Sequence, residues 1–102
     1  MSAPWLNLLG LAFRAGKVVS GEELVRAALS KGNVHCIVLA GDASEATKTK
    51  MKQKGYSYNV PVFITDDRQT LGHAIGKHER VVIGIQDVGF AKKLEAMFDR
   101  NS

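Results

Sequence analysis

Apolar residues fall in two patterns that alternate along the chain. Short apolar runs occur at Val34 to Ala40, Val60 to Ile64 and Val81 to Ile85, each bounded by turn residues. Runs of that length and setting predict buried strands, and Lys17 to Ser20 predicts a shorter one. Between them, apolar residues recur three and four apart, the helical period. Pro4 suits the first turn of a helix to about Ala15, which Gly16 ends. Ser20 and Glu23 fit a capping box before a helix from about Glu22 to Lys31, with Leu24, Val25, Ala28 and Leu29 as its core face and Gly32-Asn33 as its stop. Ser44 caps a third helix to about Lys54, followed by Gly55. Asp66 or Asp67 caps a fourth, containing Leu71, Ala74 and Ile75 and ending at Gly76. Asp87 starts a last helix to about Asp99, with Leu94 and Phe98 on its inner stripe.

Helix and strand alternate throughout, which predicts an α/β domain with a sheet between helix layers. The strands are apolar on both faces, as expected when helices cover both sides. The pattern leaves strand order open. The 102 residues make one domain, 1–102, large enough to bury a core without disulfides or metals. The lone Cys36 excludes an internal disulfide and suits a reducing cytoplasm; within an apolar run it is a small buried hydrophobe.

Charge narrows the partners. The formal net charge is +4 and the sequence pI about 9.4, a balance that favours a polyanion such as nucleic acid. The apolar run Trp5 to Phe13 is too short to span a membrane and lacks the basic flank of a signal peptide. The expectation is a cytoplasmic, monomeric protein. Catalytic signals are weak. His35, His73 and His78 have no metal-ligand spacing with Cys36, and no phosphate-loop, dinucleotide or nucleophile-elbow motif occurs. An enzyme built on Asp42, Asp66 and His73 is the remaining catalytic option; capping explains acids after strands equally well. No metal or cofactor is expected.

The stretch Val18-Val19-Ser20-Gly21-Glu22-Glu23-Leu24-Val25-Arg26 puts two carboxylates and a guanidinium at a helix start, normally a site for anions. Such a mixture accepts and donates hydrogen bonds, so it can read a base edge. The competing reading is local: Glu22 and Glu23 complement the helix dipole and pair with Arg26 four and three residues on. Lys48, Lys50, Lys52 and Lys54, interleaved with Thr47 and Thr49, form either a solvated basic helix, with Glu45 as the one nearby acid, or an edge that contacts phosphate. Gly72 inside a helix costs about 1 kcal/mol relative to Ala, which points to close approach of the sheet or a ligand. The charged loop Lys77-His78-Glu79-Arg80 follows.

Taken together, these residues resemble the kink-turn RNA-binding ribosomal proteins of the L7Ae superfamily, and within them the bacterial YlxQ-like branch. The resemblance rests on Ser20-Gly21-Glu22-Glu23-Leu24-Val25-Arg26, Ile37 to Ser44, Val60-Pro61-Val62 and Leu71-Gly72-His73-Ala74-Ile75-Gly76, which follow the family's order and spacing. It implies a three-layer α/β/α sandwich with a mixed four-stranded sheet, and RNA binding at a strand-to-helix turn. The matching positions imply an RNA-contacting set of Lys17, Ser20, Gly21, Glu22, Glu23, Arg26, Lys48, Lys50, Lys77 and Arg80. Glu22 stands where the family's motif has Asn, and Ser20 where it has its first Gly. The loop from Lys77 to Arg80 is charged where relatives carry a partly apolar loop that packs on an extruded nucleotide. The implied partner is structured RNA of the kink-turn type, ribosomal RNA among the candidates. The alternative is a protein-interaction module on the same fold.

Overall fold

The computed structural model, described for residues 4–100, aligns the apolar runs as one mixed sheet. Its strands are β1 (Val18–Ser20), β2 (Cys36–Ala40), β3 (Val62–Thr65) and β4 (Val82–Ile85), in the order β1-β4-β2-β3. β4 runs antiparallel to both of its neighbours, with Val19 opposite Gly84 and Val38 opposite Ile83. β2 and β3 are parallel, which requires a crossover, and a helix supplies it.

The helices are α1 (Pro4–Arg14), α2 (Glu22–Ser30), α3 (Glu45–Tyr58), α4 (Arg68–Ala74) and α5 (Val88–Arg100). Alternation along β2 divides the core in two. Ile37 and Leu39 pack with Val25, Leu29 and Met51 under α2 and α3. Cys36, Val38 and Ala40 pack with Trp5, Leu9, Leu71, Ile75 and Leu94 under α1, α4 and α5. The expected three-layer α/β/α sandwich is the architecture observed. Phe98 belongs to the second core, its ring 4.7 Å from that of Phe63 and 5.0 Å from that of Trp5.

Local expectations need four corrections. No capping box forms at α2. Its cap is Gly21, at φ 97°, and makes no side-chain cap hydrogen bond; Ser20 is held in β1 opposite Ile83. Capping does operate elsewhere: the Ser44 hydroxyl accepts from the Thr47 amide at 3.1 Å, and the Asp67 carboxylate from the Thr70 amide at 2.8 Å. That Thr70 amide bond leads the influences that lower the Asp67 pKa. Leu24 is no core residue. It is 63% exposed, because the buried stripe runs Val25, Ala28, Leu29 and Leu24 lies about 100° off it.

The third correction is at Gly55, which does not end α3. The helix continues to Tyr58 and closes at Asn59 in the left-handed region, φ 58°. Gly55 is instead a close-packing position, where an added Cβ would lie 2.7 Å from the Val60 carbonyl oxygen. The fourth concerns Gly72. Close approach is what it allows, but the neighbour is neither sheet nor ligand. A Cβ there would overlap the backbone of Glu79, 2.7 Å from its nitrogen, so α4 lies directly on the loop that leads into β4.

Two predictions follow from this packing. Gly72→Ala must push α4 and the Glu79 backbone apart, and should destabilise the fold by about 1–3 kcal/mol, the usual cost of overpacking, read as a lower denaturation midpoint. Cys36 tests the core against pH. Burial, with the Glu95 charge adding, pushes its thiol from 9.0 up to about 12. In the unfolded chain the thiol ionises near its ordinary value, whereas the fold holds it protonated. Its contribution is therefore complete below pH 9 and lost as pH rises toward 12, at no more than about 1.4 kcal/mol per pH unit. Urea unfolding between pH 8 and 11 should show a steeper loss for the natural chain than for Cys36→Ala.

Candidate nucleic-acid interface

Sheet topology brings three loops to one end of the molecule. β1, β2 and β3 all finish there, and antiparallel β4 begins there. The helices that follow the first three strands, α2, α3 and α4, therefore open at the same end. Their first turns carry the positive ends of helix dipoles, with the Thr47, Arg68 and Thr70 amides held by side-chain caps. Between them is a hollow of about 300 Å³, lined by Gly21, Glu22, Ser44, Thr47, Arg68 and Val82 among others. Gly21 shapes its edge. The positive φ favours glycine, its amide donates to the Val82 carbonyl at 2.9 Å, and no side chain covers it.

Arg68 is the best-anchored cation at the hollow. Its Nε donates to the Asp42 carboxylate at 3.2 Å, its Nη2 to the Asp42 carbonyl at 2.7 Å, and its backbone amide to the other Asp42 carboxylate oxygen at 3.0 Å. The Arg68 carbonyl in turn accepts the Arg80 amide at 3.0 Å. The Arg80 Nε donates to the Ser20 hydroxyl at 3.1 Å, and its Nη1 to the Glu79 carbonyl. Asp42, Arg68, Arg80 and Ser20 thus link the ends of β2, β3 and β1 and the start of β4 through donors of fixed direction.

Glu22 does not pair with Arg26. Its carboxylate takes the Lys50 ammonium at 2.9 Å across the gap between α2 and α3. That pair presents acceptor oxygens beside remaining N–H donors, a mixed edge that neither side chain offers alone. Glu23 and Arg26 are exposed on α2, and Arg26 enters no ion pair among the described residues. The expected local network of two acids and Arg26 is therefore replaced by one long-range pair. Lys48, with a side chain 19% exposed, lies 3.7 Å from Glu45.

The structure separates the residues singled out from sequence. Gly21 and Glu22 line the hollow, Lys50 is tied to it through Glu22, and Ser20 and Arg80 bond to each other beside Gly21 and Val81, with Glu23, Arg26 and Lys48 on the flanking helices. Lys17 precedes β1, at the opposite end of that strand. Lys77 turns toward α1, its ammonium 5.5 Å from the centroid of the Phe13 ring. The Asp42, Asp66 and His73 set does not assemble. Asp42 holds Arg68, and His73 lines a different hollow between α1 and α4 with Asn7 and Phe13. Among the described residues, no cluster of His, Cys, Asp or Glu can hold a metal ion, and no helix is long and apolar enough to cross a membrane. Arg68, with Asp42 as its anchor, is the element of the candidate site that sequence reasoning missed. Both residues stand just beyond strand ends, but only the parallel pairing of β2 and β3 makes them neighbours.

Comparison with known proteins agrees with this fold. The model of the ribosomal protein L7Ae/L30e/S12e/Gadd45 family matches residues 4–95. The chain is 44% identical over 95 residues to the RNA-binding protein YlxQ of Bacillus subtilis (strain 168), covering 93% of this chain and 95% of that one. It is 44% identical over 94 residues to the RNA-binding protein YlxQ of Enterococcus faecium, covering 92% and 90%. A solved structure of a Bacillus halodurans protein of unknown function superposes with a TM-score of 0.94 at 51% identity, over 96% of this chain and 99% of that one. A 15.5 kD RNA-binding protein of Giardia lamblia has the same fold, with a TM-score of 0.76 at 16% identity over 95% and 92% of the two chains. On the family match and these identities, the chain belongs to the ribosomal protein L7Ae/L30e/S12e/Gadd45 family.

Proposed function

We propose that this chain is a non-catalytic RNA-binding protein that recognises kink-turn structured RNA, ribosomal RNA among its targets, by base edges and by shape. The observation that carries the reading is the hollow itself. Three helix N-termini, a glycine-exposed backbone, a mixed Glu22–Lys50 edge and two anchored arginines meet around a concave site of about 300 Å³. The close relatives named as RNA-binding proteins support it, as does the net charge of +4.

A regular A-form helix hides its base edges in a deep, narrow groove, whereas a sharp bend splays them open. Glu22 and Glu23 accept from guanine N–H groups in non-Watson–Crick G·A pairs, and Gly21 lets the backbone come close. An unpaired base leaving the bend enters the hollow against Val82, beneath the Arg68 guanidinium. Arg26, Lys48 and Arg80 neutralise phosphates on either side, which makes affinity fall with salt. Lys17 and Lys77 contact only RNA that continues past the bend, since they lie away from the hollow.

Titrating a kink-turn RNA and a straight duplex of equal length, at matched salt, should show tighter binding of the bent RNA; equal affinities would sink the proposal and favour a protein-interaction module. Glu23→Ala should lower the preference for bent RNA by roughly 1–3 kcal/mol. The same change should move the melting temperature little, because Glu23 closes no capping box. Asp42→Asn should weaken binding by releasing Arg68, and Arg68→Lys should not restore it, since an ammonium lacks the planar fork that spans the Asp42 carboxylate and carbonyl.

A further inference from the structure

The hollow does not use the whole of α3. Ser44 on its rim begins a row at four-residue spacing, Ser44, Lys48, Lys52 and Tyr56, which forms one ridge of the helix. From Lys48 onward, each step turns the ridge about 40° further toward solvent. Exposure follows that turn: the Lys48 side chain is 19% exposed, Lys52 is exposed, and Tyr56 is 90% exposed. Lys52 enters no ion pair among the described residues. Like charges at four-residue spacing weaken an isolated helix, and an aromatic ring left this open gains nothing from the core. Neither feature helps the fold.

We infer that this ridge is a second RNA-contact surface, a track for single-stranded RNA that leaves the hollow, with Lys48 and Lys52 on phosphates and Tyr56 as a stacking platform for a base. The inference rests on the RNA-binding reading of the hollow and extends it to a part of α3 that the hollow leaves unused. The twelve residue steps from Ser44 to Tyr56 rise about 18 Å, the length of roughly five stacked nucleotides. The occupant is a polyanion with flat faces because the ridge offers cations followed by a bare ring, the combination that holds single strands without regard to sequence. An acidic protein segment would satisfy the lysines but leave the ring without a partner.

The experiment compares one kink-turn RNA with the same RNA carrying ten unpaired uridines at either end. For the natural chain, one of the two extensions should raise affinity by about tenfold. Tyr56→Ser should abolish that gain while leaving the unextended RNA within twofold and the melting temperature unchanged. Tyr56→Trp should keep the gain. Lys52→Gln should reduce it and lower the salt dependence by about one phosphate contact. Preference for bent RNA with no gain from either extension would overturn the inference and leave the hollow's role intact. A Tyr56→Ser loss equal for extended and unextended RNA would also overturn it. If bent RNA is not preferred at all, a ten-nucleotide oligouridine still decides: binding that requires Tyr56 upholds the track, and binding indifferent to Tyr56 removes it.

Discussion

The antiparallel insertion of β4 between β1 and β2 is the constraint on which the rest of this molecule depends. Because β4 runs against its neighbours, its first residues meet the ends of the other three strands. The residues of the hollow sit on that junction: the Gly21 turn, the Asp42–Arg68 clamp, the start of α3 and the loop carrying Arg80. Backbone hydrogen bonds form the frame of the junction. Gly21 donates to Val82, Arg80 to Arg68 and Gly41 to Asp66. The arginines at the hollow are held in turn by side-chain partners, Arg68 by Asp42 and Arg80 by Ser20.

Much of the fold was legible in the chain because burial writes a periodic signal. Val34 to Ala40 reads as a strand covered on both faces, and the buried pattern of Cys36–Ala40 bears that out. Ser44, and one of Asp66 and Asp67, read as caps because short polar side chains have few other local uses; Ser44 and Asp67 are the caps. Failures arose where a tertiary partner outbid a local one. Ser20 and Glu23 have the spacing of a capping box, yet Ser20 is committed to a strand and to Arg80. Glu22 and Arg26 have the spacing of a helical ion pair, yet Lys50, distant in sequence, takes the carboxylate. Gly55 looks like a helix stop from sequence because its neighbours Val60 and Val62 come from beyond the turn.

The site followed the same division. Ser20, Gly21, Glu22 and Arg80 were accessible through motif and charge. Arg68 was not, since nothing local marks it; its role comes from Asp42, which only the parallel pairing of β2 with β3 brings beside it. Two of the cations about the hollow, Arg68 and Lys50, each rest on an acid. Ion pairs this exposed add little to stability, but they fix direction, and a ligand that meets an oriented donor spends less entropy on ordering it. The acids of this basic protein thus aim its positive charge as well as reduce it.

The contact between Gly72 and Glu79 has a consequence for how the family can diversify. Residues 77–80 carry charges on a loop whose backbone is fixed against α4: Gly72 lies on Glu79, and the Lys77 and Arg80 amides donate to the Gly72 and Arg68 carbonyls. Substitutions at Lys77, His78 and Glu79 can alter what the loop offers a ligand without altering where the loop runs. A pinned backbone of this kind separates the inheritance of shape from the inheritance of specificity, so one small domain can be retuned to new partners while its architecture stays fixed.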